Sequence, residues 1–232
     1  MVQFNWSMLW GRSLYLRCSA LLAILFLSTV AHATNYVFPG TLPTGCSGSG
    51  PAYTCSGGLT LSYNDTITIN SPKPATIDVT GQVSTSNAVI NGAGTAADLT
   101  ITVNGTFTAG DNAVINANVV AGKVDANYNS VRFGGNVTTT NNGDIVIGYQ
   151  SRVTGTITTA NGNVIMGNEA VITGDVVSTG GGSVTLKYKS TISGSITATG
   201  AVTLENETVV SGSVNRSEEH TSELQSRLHL VC

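Results

Sequence analysis

Gly143-Asp-Ile-Val-Ile-Gly-Tyr-Gln-Ser-Arg-Val-Thr-Gly155 is followed by Gly162-Asn-Val-Ile-Met-Gly-Asn-Glu-Ala-Val-Ile-Thr-Gly174, Gly182-Ser-Val-Thr-Leu-Lys-Tyr-Lys-Ser-Thr-Ile-Ser-Gly194 and Gly200-Ala-Val-Thr-Leu-Glu-Asn-Glu-Thr-Val-Val-Ser-Gly212. The two glycines of each unit are always 12 positions apart, while successive units start 19, 20 and 18 residues after one another. A body of fixed length with an elastic joint is the signature of a solenoid, in which each coil contacts only its neighbours. Counted from the opening glycine, position +2 is Ile145, Val164, Val184 or Val202, and +4 is Ile147, Met166, Leu186 or Leu204. That is the period of a strand. Position +8 is small (Ser151, Ala170, Ser190, Thr208), and +10 and +14 are β-branched (Val153, Ile172, Ile192, Val210, then Ile157, Val176, Ile196, Val214). Each unit therefore carries three short strands with apolar residues inward, broken at glycines where positive φ or close backbone approach is tolerated.

Looser copies begin at Gly122 and Gly105, making about six coils of 17–21 residues over residues 81–215. The expected fold is all-β: a right-handed parallel β-solenoid, with residues 34–80 forming an N-terminal segment and cap strands. No proline occurs after Pro74, as a body whose strands pair on both sides requires.

At the amino end, Arg12 and Arg17 precede an apolar run over 20–30 and the small-residue pattern Ala31-His32-Ala33. This reads as a secretory signal over 1–33, cut before Thr34, with Met1 or Met8 as the start. Its apolar run is short for a membrane span. An oxidising destination makes Cys46 and Cys55, nine positions apart in a Gly/Ser-rich stretch, a disulfide pair. No histidine lies between Thr34 and Asn215, so no cofactor or metal site is expected.

The runs Tyr36-Val-Phe-Pro-Gly40, Gly45-Cys-Ser-Gly48, Tyr53-Thr-Cys-Ser-Gly57 and Asn64-Asp-Thr-Ile-Thr-Ile-Asn-Ser-Pro-Lys-Pro74, with the repeats after them, resemble the amino-terminal part of bacterial MSHA-type (type IV) pilus biogenesis proteins. The resemblance spans nearly all of 34–215. It implies an exported component of the periplasm, outer envelope or cell surface, with pilus or other envelope proteins or surface glycans as partners. The coils also resemble those of bactofilins, which implies a polymer-forming scaffold and end-to-end self-association. Bactofilins usually lack a cleaved signal, and this chain departs from them there. Residues 216–232 break the repeat and resemble the one-frame translation of a sequencing-library adapter, so they are expected to be disordered and foreign to the fold.

Parallel β-helices include polysaccharide-cleaving enzymes, whose chemistry needs carboxylates or Asp-bound calcium in a cleft. Candidates are Asp111, Asp125, Asp144 and Asp175, with Arg132 and Arg152 as neighbours on adjacent coils. The joints are too short to wall a cleft, so a non-enzymatic role is expected. At +6, Tyr128, Tyr149, Asn168, Tyr188 and Asn206 form a surface ladder of flat side chains, read either as corner stacking or as a binding stripe. Thr156-Ile-Thr158 and Thr197-Ala-Thr199 raise ice binding as a further alternative, with Asp175 and Val177 interrupting the column. Residues 34–215 carry six Lys/Arg against ten Asp/Glu, a net of -4 with no basic stripe, which argues against nucleic acid.

Ile172→Asp is expected to place an unpaired charge inside the +10 column and to lower stability by several kcal/mol. Glu169→Ala, on the outside, is expected to change it by less than about 0.5 kcal/mol. Thermal unfolding of the two variants checks the assignment, and equal midpoints would contradict it.

Overall fold

The computed structural model describes residues 33–140 and 142–217. The segment expected to be a secretory signal and most of the adapter-like tail lie outside these residues. Within them the chain winds as a parallel β-solenoid with three faces. The first face is a ladder of nine strands, from Asn35–Phe38 to Val209–Val210, which marks eight turns and a length of roughly 38 Å. The second runs from Ala52–Cys55 to Val214–Arg216, and the third from Leu59–Leu61 to Val202–Leu204.

The expected coils from Gly105 onward are present, with one correction upstream. The strands of residues 34–80 stack in the same three ladders: Thr66–Ile69 pairs with both Asn35–Phe38 and Val89–Ile90, and Ala75–Val79 with both Ala52–Cys55 and Leu99–Ala109. The count is accordingly eight turns rather than six. The period was hidden by long joints, since the register Asn35↔Thr66↔Val89↔Val114 gives early turns of 31, 23 and 25 residues. A hairpin lengthens the first of these turns, and an excursion ending in a 3-10 turn at Ala96–Asp98 lengthens the third. That excursion is tethered by an exposed Lys73–Asp98 ion pair at 2.9 Å, and the Asp98 carboxyl is held below its usual range first by the Thr95 N–H and then by Lys73.

The inward columns are continuous. On the first face Tyr36, Ile67, Ile90, Ile115, Phe133, Val153, Ile172, Ile192 and Val210 stand in register. On the second, the column reads Tyr53, Ile77, Ile101, Val119, Val137, Ile157, Val176, Ile196 and Val214. Where Phe107 and Phe133 enter the core, their rings 6.1 Å apart, the residues around them in sequence shrink to Ala109, Ala113, Ala117, Ala121 and Ala126, all fully buried. Large and small residues thus trade volume so that a constant cross-section stays filled.

The corners divide into two kinds. At the corner between second and third faces, Gly105, Gly122, Gly143, Gly162, Gly182 and Gly200 stack. None has positive φ. A Cβ on Gly122 would stand 2.7 Å from the Asn104 carbonyl oxygen, and one on Gly162 would overlap the Gly143 carbonyl. Close backbone approach, not positive φ, selects glycine here. The corner between third and first faces does need positive φ, and there the chain uses Asn112, Ser130, Gln150, Glu169, Lys189 and Glu207, all with φ between 52° and 59°.

The amino end is closed by aromatic rings and a hairpin. Phe38 and Tyr53 meet edge to face at 4.9 Å, both buried, over the first coil. Antiparallel to Ala52–Cys55 lies Cys46–Gly48, which covers the edge of the second face. At the other end Leu204, Val209 and Val214 are exposed among the described residues. The last strand pairs Ala198 with Arg216, one residue past the boundary expected at 215.

Gly162→Ala is expected to cost about 1–3 kcal/mol, because the added methyl meets backbone that cannot rotate away. Glu169→Gly, seven residues on at a positive-φ corner, is expected to be neutral or stabilising, since relief of about 1–2 kcal/mol of left-handed strain offsets the added freedom of the unfolded chain. Denaturant midpoints of the two variants check this, and a larger loss for Glu169→Gly would contradict the division of corners.

Candidate functional site

The polar residues that follow the corner glycines have a structural occupation. Asp144 Oδ1 accepts from the Asn163 N–H at 2.7 Å, and Asn163 Oδ1 from the Ser183 N–H at 2.9 Å. On the other glycine corner Asn136 Oδ1 accepts from Thr156 N–H, Asp175 Oδ1 from Ser195 N–H, and Ser195 Oγ from Ser213 N–H. Each side chain reaches one coil along the axis and satisfies an N–H that the strand ladders leave out.

The four aspartates considered as catalytic candidates are therefore not gathered. Asp144 and Asp175 sit on different corners, Asp111 accepts from the Asn129 N–H at 2.7 Å on the third, and Asp125 lies on the third face with its carboxylate on the Asn127 N–H at 3.3 Å. Among the described residues no three His, Cys, Asp or Glu side chains converge. A recess of about 580 Å³ lies near the amino end between Tyr36, Pro43, Gly58, Gly81 and Gln82, and has no titratable side chain other than the tyrosine.

Arg132 and Arg152 are brought together as expected. They are directly opposed on the outer side of the first face, one coil apart, at a strand spacing of about 4.8 Å. Both are exposed, and among the described residues neither guanidinium has an ion pair or hydrogen bond. Glu169, on the coil after Arg152, is held instead by Gln150 Nε2 at 2.8 Å. Like charges directly opposed across strands are destabilising, so nothing in the packing explains the pair.

The surface ladder needs one change of register. Backbone bonds run from Asn112 N–H to Asn129 O, Ser130 N–H to Tyr149 O, Gln150 N–H to Asn168 O, Glu169 N–H to Tyr188 O and Lys189 N–H to Asn206 O. Asn129, not Tyr128, thus precedes Tyr149, Asn168, Tyr188 and Asn206 in the column. Tyr128 belongs to the one extra residue between Ala126 and Arg132, relative to the step from Ile147 to Arg152. Ser151 accommodates that insertion: its buried hydroxyl accepts from the Val131 N–H at 3.0 Å and donates to the Tyr128 carbonyl at 3.1 Å. Gly122 and Gly135 are 13 positions apart where the later glycine pairs are 12 apart, so the sequence carries the insertion but not its position.

Tyr128, Tyr149 and Tyr188 are exposed. Tyr149 and Tyr188 are two coils apart, roughly 9.6 Å, with Asn168 between them, so they do not stack on one another. Tyr188 is engaged by Lys189, whose Nζ lies 5.0 Å from the ring centroid and 3.6 Å from Glu207. The lysine is held more firmly protonated than usual, first by the Tyr188 side chain and then by Glu207. Tyr149 has no such cover. It stands on the corner three residues before Arg152, so one side of the rod carries two unpaired guanidiniums and an open ring.

The threonines of the alternative reading stand on the second face, where the outward column is Thr54, Asp78, Thr102, Val120, Thr138, Thr158, Val177, Thr197 and Asn215. Threonine is frequent but not continuous. The cysteine pair is formed: Cys46 and Cys55 are opposed in the hairpin with Cα atoms 3.9 Å apart and a bond between their sulfurs.

Compared with known proteins, the chain matches no family model, no curated protein and no solved structure.

Reduction of the disulfide is expected to lower stability by about 2–3 kcal/mol, given the short loop it closes, and to loosen the hairpin ahead of the coils. Hydrogen exchange with and without reductant checks this. Loss of protection spread evenly to the last coil would contradict a local role.

Proposed function

We propose that this protein is an exported structural and adhesive rod of the bacterial envelope, linked to an MSHA-type pilus system, and that it holds acidic surface glycans through Arg132, Arg152 and Tyr149. The observation that carries the reading is the arginine pair. A rigid sheet fixes two guanidiniums side by side without a carboxylate partner, at the electrostatic cost of like charges, where a planar anion could bridge them by paired N–H···O bonds. Tyr149 adds an aromatic face on which a sugar ring can rest. The link to a pilus system rests on the resemblance of the cysteine-bearing segment, and the disulfide supports an oxidising destination.

The test is retention on immobilised uronic-acid and neutral glycans at low and high salt. Retention of the wild-type chain is expected on the acidic glycans, weakening as salt rises. Arg132→Ala and Arg152→Ala together are expected to abolish it without lowering thermal stability, and Tyr149→Ala to weaken it more than Tyr188→Ala, whose ring Lys189 already covers. Equal retention of the double arginine variant, or none by the wild type, would overturn the assignment.

A further inference from the structure

Asp65 is buried, at 3 % exposure, at the start of the second turn. Its Oδ1 accepts from the backbone nitrogen of Thr34 at 2.7 Å and its Oδ2 from the Ser62 N–H at 2.7 Å. Both partners are neutral amides while Thr34 is joined to Ala33, and among the described residues no cationic side chain pairs with this carboxylate. Buried carboxylates are ordinarily matched by a positive charge. The first ladder also begins at this point: the Thr34 carbonyl accepts from Thr66 N–H at 2.8 Å, Asn35 pairs with Thr66, and Ala33 is exposed outside the ladder. Independently, the sequence places a signal-cleavage pattern, Ala31-His32-Ala33, directly before the same nitrogen.

We propose that Asp65 is a receptor for the α-ammonium group of Thr34, created when an export peptidase cleaves the Ala33–Thr34 bond. The proposal rests on the reading of the protein as exported. Water is the co-reactant: its hydroxyl adds to the Ala33 carbonyl carbon, the C–N bond breaks, and the Thr34 nitrogen leaves with one proton from that water and takes a second from solvent. The nitrogen that was an amide donor 2.7 Å from Asp65 Oδ1 is then an ammonium at the same place. Processing thus supplies the missing counter-charge and ties the new chain end to the first coil. Uncleaved chain has the hydrogen bond without the ion pair.

The sign of the pH dependence follows. Pairing raises the amine above its ordinary pKa of about 7.7 to 8.0. The added stability is therefore fully present below that value and is lost as pH rises through the raised one. Tyr36 and Tyr63 are the other titratable side chains on the segments packed around this turn.

The experiment compares residues 34–232, released from a cleavable fusion so that Thr34 carries the free amine, with residues 33–232. The amine of 34–232 is expected to react with an acylating reagent at pH 6.5, below both pKa values, about tenfold more slowly than that of 33–232, the ratio that one pKa unit confers there. Asp65→Asn is expected to restore its reactivity and to lower the melting temperature more in 34–232 than in 33–232. Should Asp65→Asn fail to fold, the comparison of the two wild-type lengths still decides. Amino-terminal sequencing of protein recovered from the envelope is expected to begin at Thr34. A different first residue overturns the cleavage assignment and the proposal with it. Protein that begins at Thr34 but whose amine is as reactive as that of 33–232 leaves the export reading standing and overturns the Asp65 site alone.

Discussion

The carbonyl of one corner glycine occupies the space where a Cβ on the next would stand, and the rest of the solenoid depends on that contact. Coils can lie one strand spacing apart on three faces only if the chain also passes itself at the corners at backbone distance. On the straight faces the ladder hydrogen bonds hold that spacing. At the corners the ladder fails, and two devices replace it. Glycine removes the steric obstacle, while the polar residue after it, such as Asp144, Asn163 or Asp175, returns the lost hydrogen bond to the following coil. Inside the same bend Thr139 and Ser178 donate from buried hydroxyls to the Gly143 and Gly182 carbonyls, and Thr159 Oγ1 accepts from the Gly162 N–H. A backbone bent this sharply keeps its polar groups paired from within and from without.

What could be read from the sequence was whatever repeats. Strand columns, corner glycines and the inward position of Ile172 follow from period alone, because every coil solves the same packing problem. Lost were the features that occur once. Residues 34–80 obey the same inward alternation, but joints of unequal length removed the constant spacing by which coils are recognised. Tyr128 was placed in a column it does not occupy, since an inserted residue leaves no mark on composition and only pairing shows which side of it the register resumes. The buried hydroxyls of Thr139, Thr159 and Ser178 are not legible because a small polar residue at the end of a strand looks the same whether it faces solvent or a bent backbone. The cysteine pair was legible for the opposite reason: a covalent partner had to be near, and the chain offered one.

Surface residues divide by the same accounting. Asp111, Asp144 and Asp175 would serve as catalytic carboxylates in a list of titratable groups, yet each is committed to a main-chain N–H on the neighbouring coil. Glu169 and Glu207 are bound to Gln150 and Lys189. A side chain so engaged contributes to coil-to-coil register, and its charge needs no partner from outside. Arg132 and Arg152 have no such engagement among the described residues, and their proximity carries an electrostatic cost that the sheet imposes on them. Asp78, Lys123, Lys187 and Glu205 are also without side-chain partners among the described residues, but none of them faces a like charge across adjacent strands, and that opposition is what singles out the arginine pair.

The two ends of the rod pose the same problem of an unpaired ladder, and the amino end answers it within the described chain. Phe38 and Tyr53 fill the open top, and an antiparallel strand covers the edge of the second face under a disulfide. Tyr53 closes that top at a cost, since its hydroxyl is buried without a hydrogen-bond partner. A lone hydroxyl in that position costs about 1–3 kcal/mol, whereas a phenyl ring of the same shape would not. Tyr53→Phe is therefore expected to leave stability unchanged or raise it, and a loss of more than about 1 kcal/mol in urea unfolding would show that the hydroxyl has a partner in solution. The ring, not its oxygen, is what the cap requires, which places the amino-terminal closure on the same footing as the coils beneath it: shape first, with polar groups retained only where the backbone needs them.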